Sequence, residues 1–227
     1  MTKASDNEAF IRAAQAAKGL KVDGWAGDQT WAAYGLSERQ AHTLQYPDAF
    51  FKEVRAKFGA LSQPQVDGFN ALLKAMAAWP VQYVAYGLAT AWHETASTMQ
   101  PIEEYGKGRG KKYGVPGKHG QVAYGRGYVQ LTWDYNYEKA DTELGLNGAL
   151  TRDYRLALDP KIAADIMVRG MEEGWFTGKS LASYPAGDYV NDRRIINHLD
   201  KADKIAGYAV SFESALRAGA WQNGQTR

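Results

Sequence analysis

The chain has 227 residues, 45% of them hydrophobic and 23% charged, the balance of an ordinary globular fold with room for a substantial core. A net charge of +2 suits an anionic polymer but falls short of a nucleic-acid-binding footprint. The absence of cysteine excludes disulfides and thiolate metal sites, and no apolar run approaches the ~18 residues of a membrane span.

In chain order, residues 8–36 read as a short helix, EAFIRAAQAAKGL, then a turn at Asp23-Gly24. Asp28 is placed to cap a second short helix carrying Trp31 and Tyr34. This stretch is too small for a core of its own, so residues 1–40 form a small segment and 41–227 the main domain. From Tyr46 the helical period dominates. Phe50, Phe51, Val54 and Phe58 share a face, with Gly59 as a stop. SQPQVDGFNALLKAMAAW follows, with Phe69, Leu72, Leu73 and Met76 at helical spacing. Pro80 opens a third helix, in which Val81, Val84, Ala85, Leu88 and Trp92 form an apolar stripe and Glu94 sits in the last turn.

Residues 98–125 break the pattern. Their seven glycines, two prolines and six Lys, Arg or His residues show no usable period. A loop this long inside a compact domain is usually functional or disordered. A short strand pair is expected around 112–132. Later, Asp159-Pro160 opens KIAADIMVRGMEEGWF. Asp200 is placed to cap KADKIAGYAVSFESALRAG, with Ile205, Ala209, Phe212 and Leu216 on one face. The fold class is therefore mainly α, with at most a small β-hairpin.

The His93-Glu94 pair does not start a zinc helix, because position 97 is Ser where a second His is needed. Two readings of Glu94 remain: a surface charge at a helix end, or a general acid. A carboxylate there faces the negative end of the helix dipole, and with Trp92 as neighbour its pKa is expected to rise. That is what a glycosidase acid requires, given a second carboxylate. Glu103 and Glu104 can supply it.

A second stretch, YGRGYVQLTWDYNYEKA, flanks Arg126 with glycines and alternates Gln130, Thr132 and Asp134 against apolar neighbours, with Asn136 following. It reads either as an edge strand and turn, or as a strip of amide, hydroxyl and aromatic groups suited to a sugar cleft. No G-x-G-x-x-G follows a strand here, which excludes a dinucleotide site. The chain's seven Trp and fourteen Tyr exceed what a core alone accounts for.

HET, a Gly-rich loop and YGRGYVQLTWDYNY together resemble the signature of the family 19 glycoside hydrolases, and are most similar to its phage-type endolysin branch. The likeness continues through QVDGFNALL, LALDPKIAADIM, GWFTGKSLASY and RRIIN, about residues 46–220. It implies a lysozyme-like, two-lobed helical domain with a central cleft, an inverting mechanism, and no metal or other cofactor. By that resemblance Glu94 is the general acid. The base is Glu104, favoured by the register from Met99, or Glu103 as second choice. Thr132 holds the attacking water. His93, Tyr124, Arg126, Gln130, Trp133, Asn136 and Asn197 form the substrate-binding set. His198 stands where the pattern has Gly. Separately, VDGWAGDQTWAAYG resembles about half of a peptidoglycan-binding module.

The resemblance implies a monomeric endolysin acting on bacterial peptidoglycan, with no nucleic-acid partner. A chitinase and a non-catalytic wall-binding protein on the same fold are the alternatives. Lys107, Arg109, Lys111, Lys112 and Lys118 in the Gly-rich loop favour an anionic glycan. The N-terminus lacks the apolar core of a secretory signal. Synthesis in a bacterial cytoplasm is expected, followed by release to the wall by another factor.

Overall fold

The computed structural model describes residues 12, 13, 15–19, 22 and 44–222. The chain divides into two compact units, 1–41 with 224–227, and 42–223. In the first, the described residues form a short helical stretch, and Arg12 Nη1 donates to the Val22 carbonyl at 3.1 Å. The expected turn at Asp23-Gly24, the second helix at Asp28 and the VDGWAGDQTWAAYG motif lie outside the described residues.

The second unit is mainly helical. Its first helix, α1 (Pro47–Phe58), has proline in its first turn and Arg55 and Lys57 in its last, agreeing with the helix dipole. Then α2 (Gln63–Ala75) opens with a capping box. The Ser62 hydroxyl accepts from the Gln65 N–H, and Gln65 Oε1 accepts from the Ser62 N–H at 2.8 Å. The third helix, α3 (Val81–Glu94), is buried at every position from Val84 to Trp92. It is thus not the one-sided amphipathic helix its stripe suggested: Gly87, Ala89, Thr90 and Ala91 are small enough for neighbours to close over the remaining faces.

After a long loop come α4 (Asp134–Glu143), α5 (Ala149–Arg152), a 3₁₀ turn (Tyr154–Leu158), α6 (Pro160–Glu173), a 3₁₀ turn (Leu181–Ser183), α7 (Tyr189–Asp192), α8 (Arg194–Asn197) and α9 (Ala202–Ala218). The α6 cap is as expected, Asp159 accepting from the Lys161 and Ile162 N–H groups at 3.0 Å each. The α9 cap is not. Lys201 occupies that position, and Asp200 makes no cap bond to the helix; its carbonyl is used by Arg193.

The core forms where α9 packs against α3 and α1. Phe58 stacks on Phe212 with centroids 4.7 Å apart, and Trp92 lies 4.9 Å from Phe58 and 6.0 Å from Phe212. Such aromatic contacts add to the gain from area burial alone.

The expected hairpin is displaced. The paired strands are β1 (Ile102–Glu103) and β2 (Arg126–Gly127), antiparallel, with Ile102 opposite Gly127 and Glu103 opposite Arg126. Apart from β2, the described pairings within 112–132 are the isolated bridges Pro116–Val122 and Arg126–Leu131. The polar strip is no continuous strand either. Positive φ at Gly127 (82°), Gln130 (52°) and Trp133 (71°) breaks it, and a helix starts at Asp134.

Candidate functional site

Glu94 is the last residue of α3 because the chain is turned sharply behind it. The Thr95 hydroxyl donates back to the Ala91 carbonyl at 2.7 Å and accepts from the Met99 N–H at 3.1 Å. Ala96 and Ser97 take φ of 49° and 67°. Helix α2 braces this turn: Gln65 Nε2 donates to the Ser97 carbonyl and Gln100 Nε2 to that of Pro64. Gly68 permits the approach, since a β-carbon there would stand 1.8 Å from the Met99 oxygen.

The carboxylate's neighbour is not the one expected. Trp92 is committed to the aromatic core, whereas Glu94 Oε1 accepts from Arg193 Nη1 at 2.7 Å. The guanidinium is 1% exposed, and its Nε donates to the Asp200 carbonyl at 2.8 Å. A charge-assisted bond from a fixed guanidinium orients the carboxyl firmly. It also offsets the negative helix end, for which the sequence offers no local compensation. Composition and period give no sign of Arg193; only the quoted RRIIN stretch includes it.

The strand pairing separates the two candidate bases, because adjacent strand residues point to opposite faces. Glu104 lines the cleft. Its Oε1 accepts from the Tyr113 hydroxyl and its Oε2 from the Gly125 N–H, both at 3.2 Å. Glu103 does not line it. It accepts from the Tyr124 hydroxyl at 2.5 Å and pairs with Lys107 at 2.9 Å and Arg126 at 3.7 Å. The Tyr124 hydrogen bond, then that of Lys107, holds its carboxyl below the usual range.

Three residues assigned to substrate do not line this cleft: His93, Tyr124 and Arg126. Arg126 is a buried brace. Its Nη1 donates to the Val122 and Tyr124 carbonyls and the Tyr137 hydroxyl, and its guanidinium lies 3.6 Å from the Tyr124 ring centroid. An arginine between two glycines reads as a ligand-facing cation in one dimension, but buried carbonyls and the Tyr137 hydroxyl hold its Nη1 while its Nε faces Glu103 at 3.7 Å. His93 is half-buried, and desolvation lowers its pKa.

The other assigned residues converge. Gln130, Thr132, Trp133, Asn136 and Asn197 line one cleft of about 530 Å³ with Glu94 and Glu104. Part of their polarity holds the loop: Gln130 Nε2 donates to the Ile102 and Gly127 carbonyls, and Asn136 Nδ2 to that of Thr132. Sequence reasoning missed Tyr113, Tyr135, Phe176, Thr177 and Ile196, which also line it. Trp133 and Tyr135 stack with rings 17° apart, and Tyr113 meets Trp133 edge-on at 5.4 Å. Flat rings and amides in one cleft suit a sugar, with apolar faces for stacking and a hydroxylated rim.

Asp192, outside the cleft lining, is 1% exposed, with no hydrogen bond to either carboxyl oxygen among the described residues. Burial, with Asp188 nearby, pushes its pKa up to about 7. Among the described residues no group of three or more His, Asp or Glu side chains could hold a metal ion, and no helix is long and apolar enough to cross a membrane.

No protein-family model matches the chain, and no curated protein matches it. Solved structures do, two of them of chitinase C. Chitinase C from Streptomyces griseus HUT6037 aligns with TM-score 0.53 at 20% identity, over 81% of this chain and 79% of its own. A mutant form of chitinase C aligns with TM-score 0.50 at 20% identity, over 82% of this chain and 98% of its own. The chain therefore has the lysozyme-like, mainly helical fold of these chitinases, with one small antiparallel sheet.

Proposed function

We propose that the protein is an endolysin that hydrolyses the β-1,4 glycan backbone of bacterial peptidoglycan by inverting general acid/base catalysis. The observation that carries this reading is that carboxylates from two separate elements, Glu94 and Glu104, line one cleft with amide and aromatic side chains. Glu94 is the acid. Arg193 holds its Oε1, leaving Oε2 to carry the proton to the glycosidic oxygen as the anomeric C–O bond breaks. The guanidinium then stabilises the carboxylate so formed. Glu104 is the base, oriented by the Gly125 N–H and the Tyr113 hydroxyl. It takes a proton from the water that attacks the anomeric carbon, and the Thr132 hydroxyl positions that water. An inverting site needs the two carboxyl groups ~6.5–9.5 Å apart.

Charge near the cleft supports an anionic polymer, on fewer residues than the sequence suggested. Lys107 is taken by Glu103 and Lys118 by Glu138, at 2.9 and 2.8 Å. Arg109, Lys111 and Lys112 remain unpaired among the described residues and are well exposed. Replacing these three with Gln is expected to weaken binding to sacculi at low salt and to matter little near 0.1 M. There the Debye length falls to ~10 Å. Sedimentation of the chain with sacculi across a salt series checks this. Equal loss at every salt concentration would mean the loop shapes the cleft instead.

A second reading, chitinase activity on β-1,4 N-acetylglucosamine polymers, is favoured by the names of the two fold neighbours. Reducing-end release from purified peptidoglycan and from chitin oligomers, side by side, separates the two. The endolysin reading expects the faster release from peptidoglycan. We also propose that the chain acts as a monomer and reaches the wall with the help of a separate release factor.

A further inference from the structure

His198 ends α8 with φ 46° and ψ −126°. That backbone lies outside even the left-handed helical well, in a region that glycine enters freely and a residue with a β-carbon enters at a cost. Such geometry persists only where surrounding contacts over-determine it. Here they do. Arg193 Nε donates to the Asp200 carbonyl at 2.8 Å, the Asp200 N–H to that of Asn197 at 3.2 Å, and the Thr177 hydroxyl to that of Arg194 at 2.6 Å. The clamp uses the same guanidinium that grips Glu94, so the turn bearing His198 is tied to the position of Glu94.

The imidazole lines the cleft, is exposed, and has no hydrogen-bond partner among the described residues. It is also chemically singular there. Among the described residues the lining contains two carboxylates, amides, hydroxyls and rings, but no Lys or Arg. A carboxylate carried into the cleft on a sugar would meet Glu94 and Glu104, with His198 as the one basic partner among the described lining residues.

We propose that His198 is a specificity-determining substrate contact, whose ring N–H binds the carboxylate substituent of an acidic N-acetylated glycan. This rests on the glycan-hydrolase reading and narrows its substrate class. Its test is calorimetric binding to the full chain carrying Glu94→Gln. The probes are an N-acetylglucosamine–N-acetylmuramic acid oligomer without peptides and a chitin oligomer of equal length. Adding His198→Gly is expected to lower the ratio of acidic to neutral affinity roughly tenfold, the worth of one charge-assisted hydrogen bond. It is also expected to raise Tm by relieving the backbone. His198→Asn, which tolerates positive φ and keeps a neutral donor, should fall between. An unchanged ratio with a raised Tm would overturn the proposal. So would imidazole NMR signals, in the otherwise unaltered chain, that fail to move on adding the acidic oligomer. The two readings fail separately. Binding of both probes without hydrolysis by the unsubstituted chain would sink the hydrolase assignment and leave the His198 ratio standing; hydrolysis with an unchanged ratio would do the reverse.

Discussion

Glu94→Gln is expected to lower turnover ~10²–10⁴-fold while leaving fold and glycan binding nearly intact. The amide keeps the shape and can still accept from Arg193, but it has no acidic proton for the glycosidic oxygen. Turbidity clearing of outer-membrane-permeabilised cells, paired with a binding assay on sacculi, separates chemistry from recognition. Clearing at near the original rate would remove Glu94 from the mechanism.

Asp192→Asn should change how stability depends on pH. Burial raises the Asp192 pKa from 3.8 to about 7, so the folded state keeps its proton where the unfolded chain has lost it. Stability is therefore complete below about pH 4 and falls as pH rises towards 7, by up to roughly 4 kcal/mol. The amide does not titrate, so the variant should be nearly flat over this window. Its unpartnered donors cost about 1–3 kcal/mol at low pH, so it should overtake the original chain between about pH 4.5 and pH 6. Urea midpoints followed by tryptophan fluorescence at several pH values check this. Parallel pH profiles would show that Asp192 carries no such proton.

Much of the helical frame was legible because it rests on period and punctuation. Phe50, Phe51 and Val54, the Asp159 cap and the stop at Gly59 are local signals, and the structure uses them. Glu94 at the end of its helix was legible for the same reason. What escaped is long-range. Arg193 reaches Glu94 across 99 residues, and no window of sequence contains both. The fate of Arg126 was hidden likewise, since neither flanking glycine reveals that Tyr124 and Tyr137 will enclose the guanidinium. The strip from 126 to 136 misled because alternation presupposes extended backbone, and positive φ at Gln130 and Trp133 ends it there. The resemblance favoured Glu104 over Glu103 by register alone, and the pairing of Glu103 with Arg126 supplies the physical reason, which no local signal contains.

The central claim is that water is added across a glycosidic bond in this cleft. Digestion of purified peptidoglycan in heavy-oxygen water, followed by mass spectrometry of the released sugars, tests it most directly. The account predicts new reducing-end N-acetyl sugars, each carrying one heavy oxygen. Anhydro sugars without the label, or an intact glycan backbone with only the peptide stems cut, would contradict it.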